Sequence, residues 1–238
     1  SVADGYTERD WVARVRAPAA PCLYDEENPN LLTAEQLARL LKAVPSTWRC
    51  AVTLLALTGL RWGEVSALHW TDIDLEHGRL RIRRGNWRGH EQTPKTRAAQ
   101  RVVPLVQELR TMLAEHQQAQ IAAQHPGLKR GLVFPTANGT LYCSTPLRSV
   151  LDRACARAEV PRITTHGLRR TWNNLARQVA DGMVVRAIVG HTNVAMTEHY
   201  SVVSLSERQS AADAVARMVV TPGGNPSHSG DPSPEKPE

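Results

Sequence analysis

Leu168, Trp172, Leu175 and Val179 recur at helical spacing, and such a stripe obliges this segment to bury one face against a core. His166, Arg169 and Asn173 fall on a different face of the same helix. A fold built around it therefore separates a core side from a side available for chemistry. A histidine and an arginine at i and i+3 can hold one phosphate between them. Taken alone, a His-x-x-Arg pair is more often a capping histidine and a solvated arginine.

Two further segments change that balance. Downstream, Gly190-His191 is followed nine positions beyond the histidine by Tyr200, within Glu198-His199-Tyr200-Ser201, which adds a phenol nucleophile to a phosphate grip. Upstream, the apolar run Ala51 to Leu57 leads into Thr58-Gly-Leu-Arg61-Trp-Gly-Glu64. Projected on a helix, Arg61 falls near a Val65 and Leu68 stripe, where an arginine needs a partner. Glu64, at i+3, is the local candidate, either as a structural ion pair or as the brace of a phosphate clamp. Between these segments lies Lys95, one of only four lysines in the chain, in a polar, basic loop running from Gly85 to Gln100 that could reach into a DNA groove.

The chain length of 238 residues suits one catalytic domain with appendages. Residues 1–30 mix charges and prolines with little periodicity and read as a linker or leader. The domain starts at a capping-box pattern, Thr33 with Gln36, before a helix bearing Leu37, Leu40, Leu41 and Val44. Strands are expected at Ile73 to Leu75 and Leu80 to Arg83 around a His77-Gly78 turn, with a third near Val102-Val103. Helices follow at Leu105 to Leu113, Leu147 to Ala154 and Leu205 to Val219, the last one able to dock on its own domain. From residue 220 the Pro, Gly and Ser content predicts disorder. The expected fold class is α+β, mainly α-helical with a small antiparallel sheet.

The formal charge of +6 and a sequence pI near 9.5 agree with a nucleic-acid partner. Cys22, Cys50, Cys143 and Cys155 form neither a Cys-x-x-Cys motif nor a disulfide framework, which fits a reducing cytoplasm. The histidines show no metal-binding spacing, no Walker-type glycine loop is present, and no signal peptide or long apolar span points to a membrane.

In chain order, Arg61, Lys95, His166, Arg169, His191 and Tyr200 resemble the signature of the tyrosine recombinase family, the phage-type integrases, over residues 31–219. The resemblance implies the catalytic-domain fold of that family, with Glu64 as its supporting acidic residue, residues 1–30 as the remnant of an N-terminal core-binding region, and a neighbouring subunit as the other possible dock for Leu205 to Val219. Arg170, Trp172 and Val189 depart from the residues common in relatives, but none removes a catalytic group.

Forming a phenolate from a free tyrosine of pKa about 10 costs roughly 4 kcal/mol near neutral pH. Two arginines and two histidines facing the nonbridging oxygens would lower that barrier without a metal. The resemblance implies that Lys95 protonates the leaving 5′ oxygen and that His166 assists proton transfer from Tyr200. The product is a 3′-phosphotyrosine, which stores the bond energy for resealing, so no cofactor is implied. The expected partners are double-stranded DNA and further copies of the chain, as a homotetramer on paired sites. The expected location is the bacterial cytoplasm with the nucleoid, or the host cytoplasm for a phage protein. A type IB topoisomerase-like or telomere-resolving strand transferase, and an inactive DNA-binding module, are the alternatives.

Overall fold

The computed structural model describes residues 31–93, 100–189 and 205–220. The expected leader lies outside the described residues, as does the expected tail except for its first residue, Val220, which is helical. The first helix, α1 (Ala34–Ala43), begins at the expected capping box. Thr33 Oγ1 accepts the Gln36 N–H at 3.2 Å, and Gln36 Oε1 accepts the Thr33 N–H at 2.9 Å. Two donors that a helix start leaves open are thereby satisfied. Leu37 and Leu40 are fully buried on its inner face.

Helix α2 (Ser46–Thr58) is buried without a break from Cys50 to Thr58, as suits a central element covered on all sides. It packs against α6 (Thr165–Arg177) and α4 (Gln107–Ala122), while α1 packs against α5 (Leu147–Ala158). Gly59 ends α2 at φ +64, and a Cβ there would meet the Trp172 ring at 2.9 Å. The left-handed stop and the close approach of α6 both demand glycine. Trp48, Trp62 and Tyr142 form an aromatic cluster with ring centroids 5.7 to 6.4 Å apart, so Tyr142 is a packing residue.

The strands β1 (Ile73–Asp74), β2 (Arg79–Ile82) and β5 (Arg101–Pro104) form an antiparallel sheet in the order β1-β2-β5. Leu80 pairs with Val103 and Ile82 with Arg101. Strand β2 alternates, with Leu80 and Ile82 buried and Arg79 and Arg81 exposed. The turn between β1 and β2 closes where Asp74 accepts the His77 N–H at 2.9 Å and Gly78 takes φ +62. These three strands match the expected sheet.

The segment from Gly85 is not wholly a loop. Strands β3 (Gly85–Trp87) and β4 (His90–Gln92) form a separate antiparallel hairpin, with Arg88 and Gly89 at positive φ in its two-residue turn. Asn86 anchors it, donating from Nδ2 to Ser66 Oγ at 3.2 Å and to the Tyr142 carbonyl at 2.8 Å. All three residues of β4 are exposed, so no apolar alternation marks the strand in the sequence.

Helix α7 (Gly182–Val189) and the final helix α8 (Leu205–Val220) complete the described chain. Ala211, Ala212, Val215, Ala216 and Val219 are buried as α8 packs on α1, α6, α7 and β5. The final helix therefore docks on its own domain, one of its two expected placements. Cys50 and Cys155 are buried and Cys143 is exposed, all as free thiols. Among the described residues no helix is long and apolar enough to cross a membrane.

Candidate active site

Because Gly59 stops α2, the backbone restarts as a short helix α3 (Trp62–Val65), and Arg61 becomes its extended N-cap residue. Arg61 therefore does not lie in a buried helical stripe with Val65 and Leu68. Its side chain is 54% exposed, which leaves the guanidinium open to an incoming anion.

The expected pairing with Glu64 is present but loose at the side chain. Arg61 Nη1 lies 3.5 Å from Glu64 Oε1, while the Arg61 backbone N–H donates to Glu64 Oε2 at 2.9 Å. The stronger partner is Arg101, from β5. Its Nη1 and Nη2 donate to Glu64 Oε1 and Oε2, each at 3.0 Å, in the planar two-point geometry that guanidinium and carboxylate share. Burial pushes the Glu64 carboxyl upward, but hydrogen bonds and charge from Arg101, then from Arg61, more than reverse this and hold it below its ordinary value. Arg101 belongs to the site and was not among the residues expected there.

Helix α6 brings the other two described residues. Thr164 caps it, accepting the Gly167 N–H at 3.0 Å, and so fixes the first turn that carries His166. His166 is exposed. Its pKa lies below the ordinary value because of partial burial and then the charges of Arg170, Arg169 and Arg61, which favours the neutral imidazole. Arg169 is not on a solvated face: it is 2% exposed, and its Nη1 donates to the Gly59 carbonyl at 2.6 Å. Burial, then repulsion from Arg61, lowers its pKa to about 10, with Glu64 opposing and Arg101 adding to the shift. Arg169 still carries its charge near neutral pH.

Arg61, Glu64, Arg101, His166 and Arg169 thus form one electrostatically coupled group on α3, β5 and α6. Three guanidinium groups and one carboxylate leave an excess of positive charge in this group. Beside the start of α6 a groove of about 660 Å³ is lined by threonines, Arg148, Ile163 and the Arg162–Asp152 ion pair. Lys95, His191 and Tyr200 lie outside the described residues. Among the described residues no group of three or more His, Cys, Asp or Glu side chains could hold a metal ion.

The mainly helical domain with its small antiparallel sheet resembles solved recombinase structures. The XerA recombinase covers 81% of this chain, itself 65% covered, with a TM-score of 0.58 at 20% identity. The Tn1549 transposon integrase in complex with transposon right end DNA gives a TM-score of 0.60 at 22% identity, over 72% of this chain and 61% of that one. At these identities the likeness is one of fold.

Residues 30–207 match the Phage integrase family, and the chain belongs to that family. It is 28% identical to a XerC-like tyrosine recombinase of Caldanaerobacter subterraneus, over 92% of this chain and 63% of the relative. It is 31% identical to the prophage integrase IntF of Escherichia coli, over 84% of this chain and 39% of the relative. The integrase of Mycobacterium phage D29 is 30% identical, over 85% of this chain and 57% of that protein. The chain spans less than two thirds of the length of each of these relatives.

Proposed function

We propose that residues 31–219 form the catalytic domain of a site-specific tyrosine recombinase that cuts and rejoins double-stranded DNA through Tyr200. The observation that carries this reading is the bond from Arg169 to the Gly59 carbonyl at 2.6 Å, two residues before the exposed Arg61, whose backbone N–H is held by Glu64 at 2.9 Å. In this reading the exposed Arg61 and the anchored Arg169 bind the two nonbridging oxygens of the scissile phosphate. Their donors are in place before charge accumulates, so the pentavalent transition state gains more from them than the ground state does.

Tyr200 attacks phosphorus as His166, neutral at working pH, assists removal of the phenolic proton. His191 adds a donor to the phosphate, and Lys95 protonates the departing 5′ oxygen. The O–P bond to the 5′ oxygen breaks as the bond to the tyrosine forms, and a 5′ hydroxyl later reverses the step. Neither a metal nor a nucleotide enters this chemistry. Exchange between two duplexes requires four such cuts, which supports a homotetramer on paired sites. The groove beside α6 supplies Arg148 and threonine hydroxyls suited to the flanking backbone, while Arg162 is paired with Asp152.

The test is strand exchange between two differently labelled duplexes, run beside relaxation of a supercoiled plasmid. Recombinant strands support the recombinase reading. Relaxation without exchange favours a topoisomerase-like enzyme, and binding without either reaction favours an inactive module.

A further inference from the structure

We infer that Arg101 is a positioning residue for cleavage: its single guanidinium fixes Glu64 beside Arg61 and also holds the last turn of the helix that leads to His191. The inference rests on the recombinase reading above. Besides its paired bonds to Glu64, Arg101 donates from Nε to the Ile188 carbonyl at 2.8 Å. Ile188 stands three residues before His191. The Arg101 side chain is 5% exposed, so these bonds form where water competes little.

Strand β5 is the meeting point of otherwise separate parts. Glu64 on α3 and Ile188 on α7 meet at Arg101, and Arg208 on α8 donates from Nη1 to the carbonyl of the next residue, Val102, at 3.3 Å. Lys95 precedes Arg101 by six positions. One short strand thus connects α3, α7 and α8, the described elements next in sequence to Arg61, His191 and Tyr200. The planar guanidinium is needed because a lysine ammonium cannot span both carboxylate oxygens and the carbonyl in fixed directions. The Glu64 pKa, held low against burial, is consistent with this tether.

The experiment measures single-turnover covalent adduct formation on a nicked suicide duplex carrying a candidate attachment site, with DNA affinity titrated in parallel. Arg101→Ala is expected to slow cleavage about 100-fold while DNA affinity changes by no more than about 3-fold. Glu64→Gln combined with Arg101→Ala should be no slower than the slower single variant, since both act through one contact. Free methylguanidinium should restore part of the rate to Arg101→Ala and none to Glu64→Gln. If Arg101→Ala does not fold, Arg101→Lys replaces it, with the same loss and the same non-additivity expected.

A variant that cleaves within about 3-fold of wild type sinks the inference alone. So does a loss that adds in full to that of Glu64→Gln and ignores methylguanidinium. A wild type that binds the duplex but forms no adduct sinks the recombinase reading itself, and this inference with it.

Discussion

Arg169 donates to the main-chain carbonyl of Gly59 at 2.6 Å, so the arginine of the His-x-x-Arg pair is anchored on the turn that carries Arg61 two residues later. The bond joins positions 110 residues apart and sets the spacing of the two guanidinium groups that the proposed mechanism requires. Gly59 is consequently both a helix stop and part of the site's frame.

Gly59→Ala should disturb both. A Cβ there meets left-handed strain at φ +64 and the Trp172 ring at 2.9 Å. Unfolding in urea should show a loss of roughly 1–3 kcal/mol. Cleavage by the folded fraction should also be slower than wild type, because the Arg169 anchor moves.

Arg169→Lys keeps the charge but loses the fork that can serve a carbonyl and a phosphate together. Single-turnover cleavage should fall by about 100-fold or more, with a much smaller change in DNA affinity. An equal loss of affinity and rate would place Arg169 in ground-state binding instead.

His166 should define the acid limb of the cleavage rate. Its pKa is depressed below 6.5 by burial and then by Arg170, Arg169 and Arg61, so the rate should hold through neutral pH and fall only as the imidazole protonates below that value. Arg170→Ala removes one repelling charge and should move this limb upward, toward 6.5. His166→Gln should be slow and lack the limb.

Glu64 gives a stability prediction. Its carboxyl is depressed below the ordinary 4.5 in the fold, burial being outweighed by Arg101 and Arg61. The contribution is therefore complete above about pH 4.5 and is lost as pH falls through the folded value. Urea unfolding of wild type and Glu64→Gln should differ most near neutral pH and converge under acid conditions.

The sequence carries those parts of this structure whose causes are local. Thr33 and Gln36 mark the start of α1 because a capping box spans three positions. The Leu168 to Leu175 stripe marks the buried face of α6, and His77-Gly78 marks the β1–β2 turn. Glu64 is legible as a partner of Arg61 for the same reason. Arg101 is not, since its carboxylate lies 37 positions away and only the packing of β5 beside α3 joins them. The burial of Arg169 is not legible on its own helix, because the Gly59 turn that it bonds belongs to another segment. The β3–β4 hairpin carries no apolar alternation and is anchored by Asn86 to distant groups. The short helix after Arg61 follows from Gly59 breaking a run that periodicity alone continues through Leu68.

The most direct measurement of the central claim is covalent trapping on a nicked suicide duplex in EDTA, comparing wild type with Tyr200→Phe. The account predicts a denaturation-resistant adduct, linked through the DNA 3′ phosphate, from wild type only. An adduct that persists in Tyr200→Phe, or one that forms only when a divalent metal is restored, would contradict it.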